Sequence, residues 1–223
     1  MAGHEAPRIA SLERRGQLCY LTRLNAMWKL APLLFLLFSC ALPGNFQSRY
    51  SEDLDRRNIR RIAVLPPAAK DDEPAVVLSN HIYSAMAAFP QWQIVSEREV
   101  REVVPDISKG TEAARARKLG ELVHADAVAS GRVLRYRERV GEEWGVKSPA
   151  SVSFVIELWD VRRGDIVWSG RFDETQRALS ENIFALGEFA QRGARWLKAE
   201  ELALEGVKTA VAELHQVLYR RQG

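Results

Sequence analysis

Histidines, paired glutamates and a run of alternating arginines are the residues in this 223-residue chain from which chemistry is usually built. His81, His124 and His215 stand far apart, with no second ligand at metal spacing; His124, just ahead of an apolar stretch and near Asp126, reads as a surface or turn residue. Glu142-Glu143 and Glu200-Glu201 are immediate neighbours. On a regular element neighbours point apart, so both pairs read as solvated faces rather than acid/base couples. Ser130-Gly131 and Ser169-Gly170 lack the Gly-x-Ser-x-Gly setting of a nucleophile elbow, and Gly131, Gly141, Gly145 and Gly164 form no phosphate loop. Arg163-Gly164-Asp165 is an adhesion-type tripeptide by coincidence. No catalytic residue, metal ligand or cofactor is assigned. A hydrolase built from scattered polar residues is the least favoured reading.

The arginines are more informative. Arg132, Arg135, Arg137 and Arg139 follow one another closely, and the last three share one face of an extended chain, with Glu142, Glu143 and Trp144 just beyond. A basic stripe beside an aromatic can hold an acidic partner or a glycan. The plainer reading is a charged edge strand that discourages aggregation. Trp159 and Trp168 lie close across a turn. Either both pack beneath helices, the plainer reading, or Trp159 is an exposed interface anchor. The candidate partner-binding residues are thus Arg135, Arg137, Arg139, Trp144 and Trp159.

These residues must be positioned by an α/β (α+β) domain, a single mixed sheet with helices packed on it. Ile62–Leu65, stopped by Pro66-Pro67, reads as a buried strand. Leu78, Ile82, Ala85 and Phe89 recur at helical spacing until Pro90, and Trp92, Ile94 and Val95 form a second strand. Ser96 caps a helix over 97–104 with Glu97 and Glu99 in its first turn, ended by Pro105; Thr111 opens the next. Ala125, Ala127 and Ala129 alternate into a strand reaching Val133 or Tyr136. Ser151–Trp159 and Ile166–Phe172 form a hairpin with one buried face. Helices over 176–196 and 198–219 complete the order β-α-β-α-α-β-β-β-α-α.

Charge is uneven along the chain. Arg8, Arg14, Arg15, Arg23 and Lys29 against Glu5 and Glu13 account for the whole net charge of +3, so the chain beyond residue 40 is neutral. A neutral body lacks the clustered basic footprint of a nucleic-acid protein. Both cysteines, Cys19 and Cys40, precede the domain, which leaves it without disulfides or thiolate ligands. The apolar run 30–43 follows Lys29 and is short of the roughly 20 residues that span a bilayer, as in a signal-peptide core. Its Leu37-Phe38-Ser39-Cys40 resembles the lipobox of bacterial lipoproteins, although Phe38 departs from the small or β-branched residue usual there. The resemblance implies acylation of Cys40 and cleavage before it. Two or more acyl chains make membrane binding stable. Ala41, rather than aspartate, implies sorting to the outer membrane, with the domain facing the periplasm.

The opening strand Arg61–Pro66, the ADAVASGRV stretch at 125–133 and the hairpin FVIELWDVRRGDIVWSGRF resemble the CsgG, LpoB and PelC group of envelope lipoproteins, and through them the N-terminal domain of TolB. That resemblance implies a non-catalytic adaptor or activator acting on an envelope protein, such as a peptidoglycan synthase. The alternative it offers is a homo-oligomeric ring subunit of a polysaccharide or protein export apparatus. A membrane channel of this group needs long apolar hairpins, and Arg137–Pro149 is charged and too short.

The chain therefore divides into an over-extended start (1–26), a signal peptide (27–39) opening at Met27, a lipidated tether (40–60) and a periplasmic domain (61–220). Mass spectrometry of the protein from its native host should find an acylated N-terminus at Cys40 and no peptide from residues 1–22; a peptide from that stretch would show that translation starts upstream of Met27.

Overall fold

The computed structural model describes residues 45–67, 72–107, 109–141, 146–176 and 195–219. The N-terminal start, signal peptide and Cys40, and nearly all of the helix expected over 176–196, lie outside them. The described chain builds one six-stranded mixed sheet. Its strands are β1 (Phe46–Tyr50), β2 (Arg61–Val64), β3 (Gln93–Ile94), β4 (Ala127–Arg137), and the hairpin pair β7 (Ser151–Asp160) and β8 (Ile166–Thr175). A separate two-stranded ribbon, β5 (Val140–Gly141) and β6 (Val146–Ser148), occupies what was expected to be a plain loop. The helices are α1 (Glu73–Ala87), α2 (Glu97–Ile107), α3 (Glu112–Leu122) and α4 (Ala199–Tyr219).

Across the sheet the order is β1-β8-β7-β4-β2-β3. β2 runs parallel to both β3 and β4, and the remaining pairings are antiparallel. One face is roofed by α1 and α4, whose Leu78, Ile82, Met86, Leu202, Val207 and Leu214 bury against Ile62, Ala129, Phe154, Ile156 and Trp168. Helix approach is close enough to exclude a Cβ at two sites. A Cβ on Gly131 would stand 2.6 Å from the Ile82 side chain, and one on Gly206 would stand 2.7 Å from the Phe172 ring. Among the described residues the opposite face is roofed only at one end, where α2 and α3 bury Val100, Ala116 and Leu119 against Ala63, Val128 and Val161.

Three elements depart from the sequence expectation. Phe46–Tyr50, placed in the tether, is an edge strand of the sheet. It has no continuous apolar run and is fastened by polar bridges instead. Glu213 of α4 accepts both the Ser48 hydroxyl and the Trp168 indole N–H at 2.8 Å, and Phe46 stacks on Trp168 with ring centroids 6.3 Å apart. α2 continues past Pro105 to Ile107. Pro105 forfeits the amide that would bond the Arg101 carbonyl, and buried Arg115 satisfies the exit by donating to the carbonyls of Ile107 (3.2 Å) and Pro66 (2.7 Å). β4 runs to Arg137, with a register shift at Leu134.

Between β1 and β2 the chain crosses the end of the sheet, and Arg57 fixes that crossing to the β7–β8 turn. All five of its N–H groups are used. They reach Asp165 at 2.7 and 2.9 Å, Asp160 at 3.0 Å, and Asp53 at 3.2 and 3.3 Å. Asp160 in turn accepts the turn amides of Arg162 and Arg163, and Gly164 supplies the left-handed φ of +73°. The Arg57 hydrogen bonds hold the Asp165 carboxyl below its ordinary range. Replacing Arg57 with alanine strands buried Asp160 and should cost about 3 kcal/mol, the low end for breaking a buried pair because Asp53 and Asp165 are partly hydrated. Urea unfolding would read this as a lower midpoint; an unchanged midpoint would refute the clamp.

His215 of α4 lies among rings rather than ligands. Its centroid is 4.4 Å from Phe89, 4.8 Å from Tyr219 and 5.4 Å from Trp92. Burial pushes its pKa down, and likewise that of His81, where Glu200 opposes the shift. A depressed folded-state pKa favours the neutral ring. The associated stability is therefore complete above the unfolded value of about 6.5 and is lost as pH falls below it. The urea midpoint should drop between pH 7 and pH 5, and His215→Phe should flatten that drop.

Candidate functional site

The part of the sheet that no described helix covers is the surface that the candidate residues address. On β7, Ser151, Ser153, Val155 and Glu157 face away from α1 and α4, and the register sets Arg137, Arg135 and Arg132 of β4 opposite the first three. The same register places Thr175, Asp173, Arg171 and Ser169 of β8 on this face, followed by Gln47 and Arg49 of β1. Four strands thus present five arginines, with Glu157 and Asp173 as the acids among them.

Arg135 is the organised member. Its Nε donates to Ser151 Oγ at 2.6 Å, and its Nη2 to Asp173 and, at 3.4 Å, to Thr175. Asp173 also accepts Arg171 Nη2 at 3.0 Å and Ser153 Oγ at 3.1 Å. Burial would raise the Asp173 carboxyl, but these hydrogen bonds outweigh it and hold the group below its ordinary range. Asp173 therefore stays ionised and holds the Arg135 and Arg171 guanidinium groups, one on each carboxylate oxygen. Arg132 is 55% exposed and stands 3.7 Å from Glu112 and 3.9 Å from Glu157. Burial, and then Glu112, push the Glu157 carboxyl up while Arg132 pulls it down. Arg137 and Arg49 are exposed.

The candidates named from the sequence do not all meet here. Arg135 and Arg137 share the face, and Arg132 joins them because the register shift at Leu134 reverses the alternation. Arg139 leaves it. This residue lines a different cavity with Glu73, Tyr136, Lys198 and Glu200, where α1 and α4 begin. Trp159 is half-buried against the core beneath α2 and α3, its indole N–H donating to Ser130 Oγ at 3.1 Å, as packing rather than as an exposed anchor. Trp144 and Cys40 lie outside the described residues. Arg171, Arg49 and Asp173 were missed. Their alternation along β8 and β1 is legible, but only the register brings them beside Arg135.

Among the described residues no three His, Cys, Asp or Glu side chains group so as to hold a metal ion. His124 is an exposed turn residue with φ of +52°. In the Arg-Gly-Asp turn, Asp165 is bound to Arg57 and Arg163 to Asp53, which occupies both charges an adhesion motif would offer. No described helix is long and apolar enough to cross a membrane.

The class defined by these features is a mixed-sheet α/β domain with one roofed face and one arginine-bearing open face. No protein-family model and no curated protein matches the sequence. Solved structures do. The chain is similar to the PelC dodecamer from Paraburkholderia phytofirmans, at 15% identity and a TM-score of 0.44, over 76% of this chain and 95% of that one. Lipoprotein GNA1162 from Neisseria meningitidis matches at 20% identity and a TM-score of 0.41, over 60% and 93%. E. coli LpoB matches at 14% identity and a TM-score of 0.37, over 53% and 59%. PelC and LpoB are two of the proteins named by the sequence resemblance.

Proposed function

We propose that this chain is a non-catalytic lipoprotein, anchored in the outer membrane through acylated Cys40, whose domain captures an acidic envelope protein on the open sheet face. The observation that carries the reading is the unequal roofing of the sheet. α1 and α4 cover one face, whereas among the described residues no helix covers the β4-β7-β8-β1 side of the other face, which carries five arginines. The chain beyond residue 40 is neutral, so this is segregated charge rather than general basicity. Segregated charge steers encounter with a surface of opposite sign and sets its register. Arg137, Arg171, Arg132 and Arg49 supply the contact, and Arg135 is held by Asp173 to position it. Arg139, Trp144 and Trp159 are secondary candidates. A peptidoglycan synthase or one component of an export system fits as the partner, and assembly or activation of that machinery is the consequence.

Crosslinking in intact cells, followed by purification through a C-terminal tag, tests this reading. With Arg137→Glu and Arg171→Glu combined, recovery of the dominant partner should fall at least tenfold while the melting temperature stays unchanged. Undiminished recovery would reject this face. Recovery of the bait alone, in a large crosslinked ladder, would favour the ring subunit instead.

A further inference from the structure

The two edges of the sheet are unequal. β3, at one edge, pairs through Gln93 and Ile94 alone, too short a run to seat another strand. β1, at the other, pairs with β8 over five residues in an unbroken register. Among the described residues no strand pairs with its outer side. Its main-chain direction is fixed at both ends. The Asn45 carbonyl accepts the Asp173 amide at 2.8 Å, and the Ser51 amide donates to the Val167 carbonyl at 2.9 Å. Alternate residues of an antiparallel strand bond to the same neighbour. Gln47 and Arg49 therefore turn toward β8 with Asn45 and Ser51, and the amides and carbonyls of Phe46, Ser48 and Tyr50 point outward.

Such an edge is a template for a further strand unless a proline, a bulge or a covering element blunts it, and β1 has neither proline nor bulge. The residues of β1 specify which strand fits. Phe46-Gln47-Ser48-Arg49-Tyr50 reads alike in both directions by residue class: aromatic, polar, serine, polar, aromatic. Laid antiparallel on itself about Ser48, it sets Phe46 beside Tyr50 of the second copy on one face and Gln47 opposite Arg49 on the other. Aromatic pairs across strands are favourable, and Tyr50, 44% exposed, has ring surface to cover. Like charges directly opposite are unfavourable, and in this register the two Arg49 side chains stand on a diagonal instead. A twofold moved to Arg49 would oppose two guanidinium groups. Moved to Gln47, it would set Phe46 against serine. The edge is thus complementary to itself in one register.

We propose that the chain pairs with a second copy of itself through β1, antiparallel about Ser48, joining two six-stranded sheets into one. Residues opposed across antiparallel strands share a face, so the two arginine faces become one continuous surface. β3 is too short to repeat the contact at the far edge, and the assembly closes as a twofold dimer instead of growing. A five-residue contact is small, so the dimer dissociates on dilution.

Two measurements on the full chain in detergent test this, with Cys19→Ser and Cys40→Ser present so that introduced thiols are the only ones. In the first, chains carrying Gln47→Cys and chains carrying Arg49→Cys, differently tagged, are mixed and mildly oxidised. Opposed residues of a non-hydrogen-bonded pair have Cα atoms about 4.5 Å apart, and diagonal ones stand about 7–8 Å apart. A disulfide reaches only to about 6.8 Å. The mixture should therefore crosslink at least tenfold faster than either variant alone. In the second, sedimentation velocity should show the parent chain passing from monomer to dimer as concentration rises. Ser48→Pro, which removes an outward amide and leaves the β8 ladder complete, should stay monomeric. Ser48→Ala, which loses the same hydrogen bond to Glu213 but keeps the amide, should dimerise like the parent. The proposal is overturned by a parent chain that stays monomeric, by equal crosslinking within and between the cysteine variants, or by undiminished dimerisation of Ser48→Pro. A species larger than the dimer overturns it too, since that is a ring. None of these outcomes depends on acylation of Cys40 or on a partner for the arginine face.

Discussion

The Arg57 guanidinium is the constraint on which the strand order rests. β1 lies at one edge of the sheet and β2, next in sequence, lies beyond β8, β7 and β4. At about 4.8 Å per strand the chain must cover ~19 Å between them. It does so in residues 51–60, which contain a single turn of 3-10 helix (Leu54–Arg56) and bury Leu54 and Ile59 in the core. Two apolar anchors do not specify where such a segment stops. Arg57 does, because its planar fork meets three carboxylates, two of which belong to the ends of β7 and β8. Replaced by an apolar side chain in a redesigned site, the cluster need not lower stability, since desolvation consumes most of the Coulombic gain. Its contribution is registration, joining the crossing segment to the hairpin it passes under.

That registration has a consequence for the open face. With the crossing segment fixed at one end of the sheet and α2 and α3 packed over the β2 side, the surface that no described element covers is the β1-β8-β7-β4 side on the face away from α4. There consecutive strands carry outward-facing residues that are polar apart from Val155. The hydroxyls of Ser151 and Ser153 are buried, which is tolerable because Arg135, Thr175 and Asp173 complete their hydrogen bonds. The network thus ties β4, β7 and β8 together at the side-chain level. It leaves Arg137, Arg132 and Arg171 projecting from a stiff platform, so less side-chain entropy is lost on contact than three unsupported arginines would lose.

Much of the architecture was legible in the sequence because it was written in hydrophobic periodicity. The strand at Ile62, the helix ending before Pro90, the Thr111 cap, the hairpin around Asp160-Val161-Arg162-Arg163-Gly164-Asp165 and the closing helix all carry apolar spacing or turn chemistry within a short window. β1 was not legible, because Phe46-Gln47-Ser48-Arg49-Tyr50 holds its place through Glu213, 165 residues from Ser48, and through Trp168. The ADAVASGRV stretch displays Asp126 but not its role. Its carboxylate accepts the amides of Arg60 and Arg61, at 3.1 and 2.9 Å, and so starts the parallel pairing of β2 with β4. Side chains that act across the sheet carry no local signature.

The arginine stripe shows why residue spacing alone misassigns a face. Strict alternation from Arg135 includes Arg139 and excludes Arg132. In the folded strand Val133 pairs with Phe154 and Arg135 with Ser153, so Leu134 is the unpaired residue of a bulge, and it is 45% exposed. One inserted residue reverses the parity of everything before it relative to everything after. Arg132 is thereby moved onto the face of Arg135 and Arg137. Past Arg137 the chain leaves β4, Glu138 turns back so that its carboxylate accepts the first amide of α4 at 3.1 Å, and Arg139 is carried to the other side. The same few residues thus assemble the open face, cap the 21-residue helix that roofs the opposite one, and separate the two surfaces. The helix dipole favours a carboxylate at that cap. Glu138 is therefore held by α4, and Arg139, one residue on, cannot rejoin the stripe without giving up that cap.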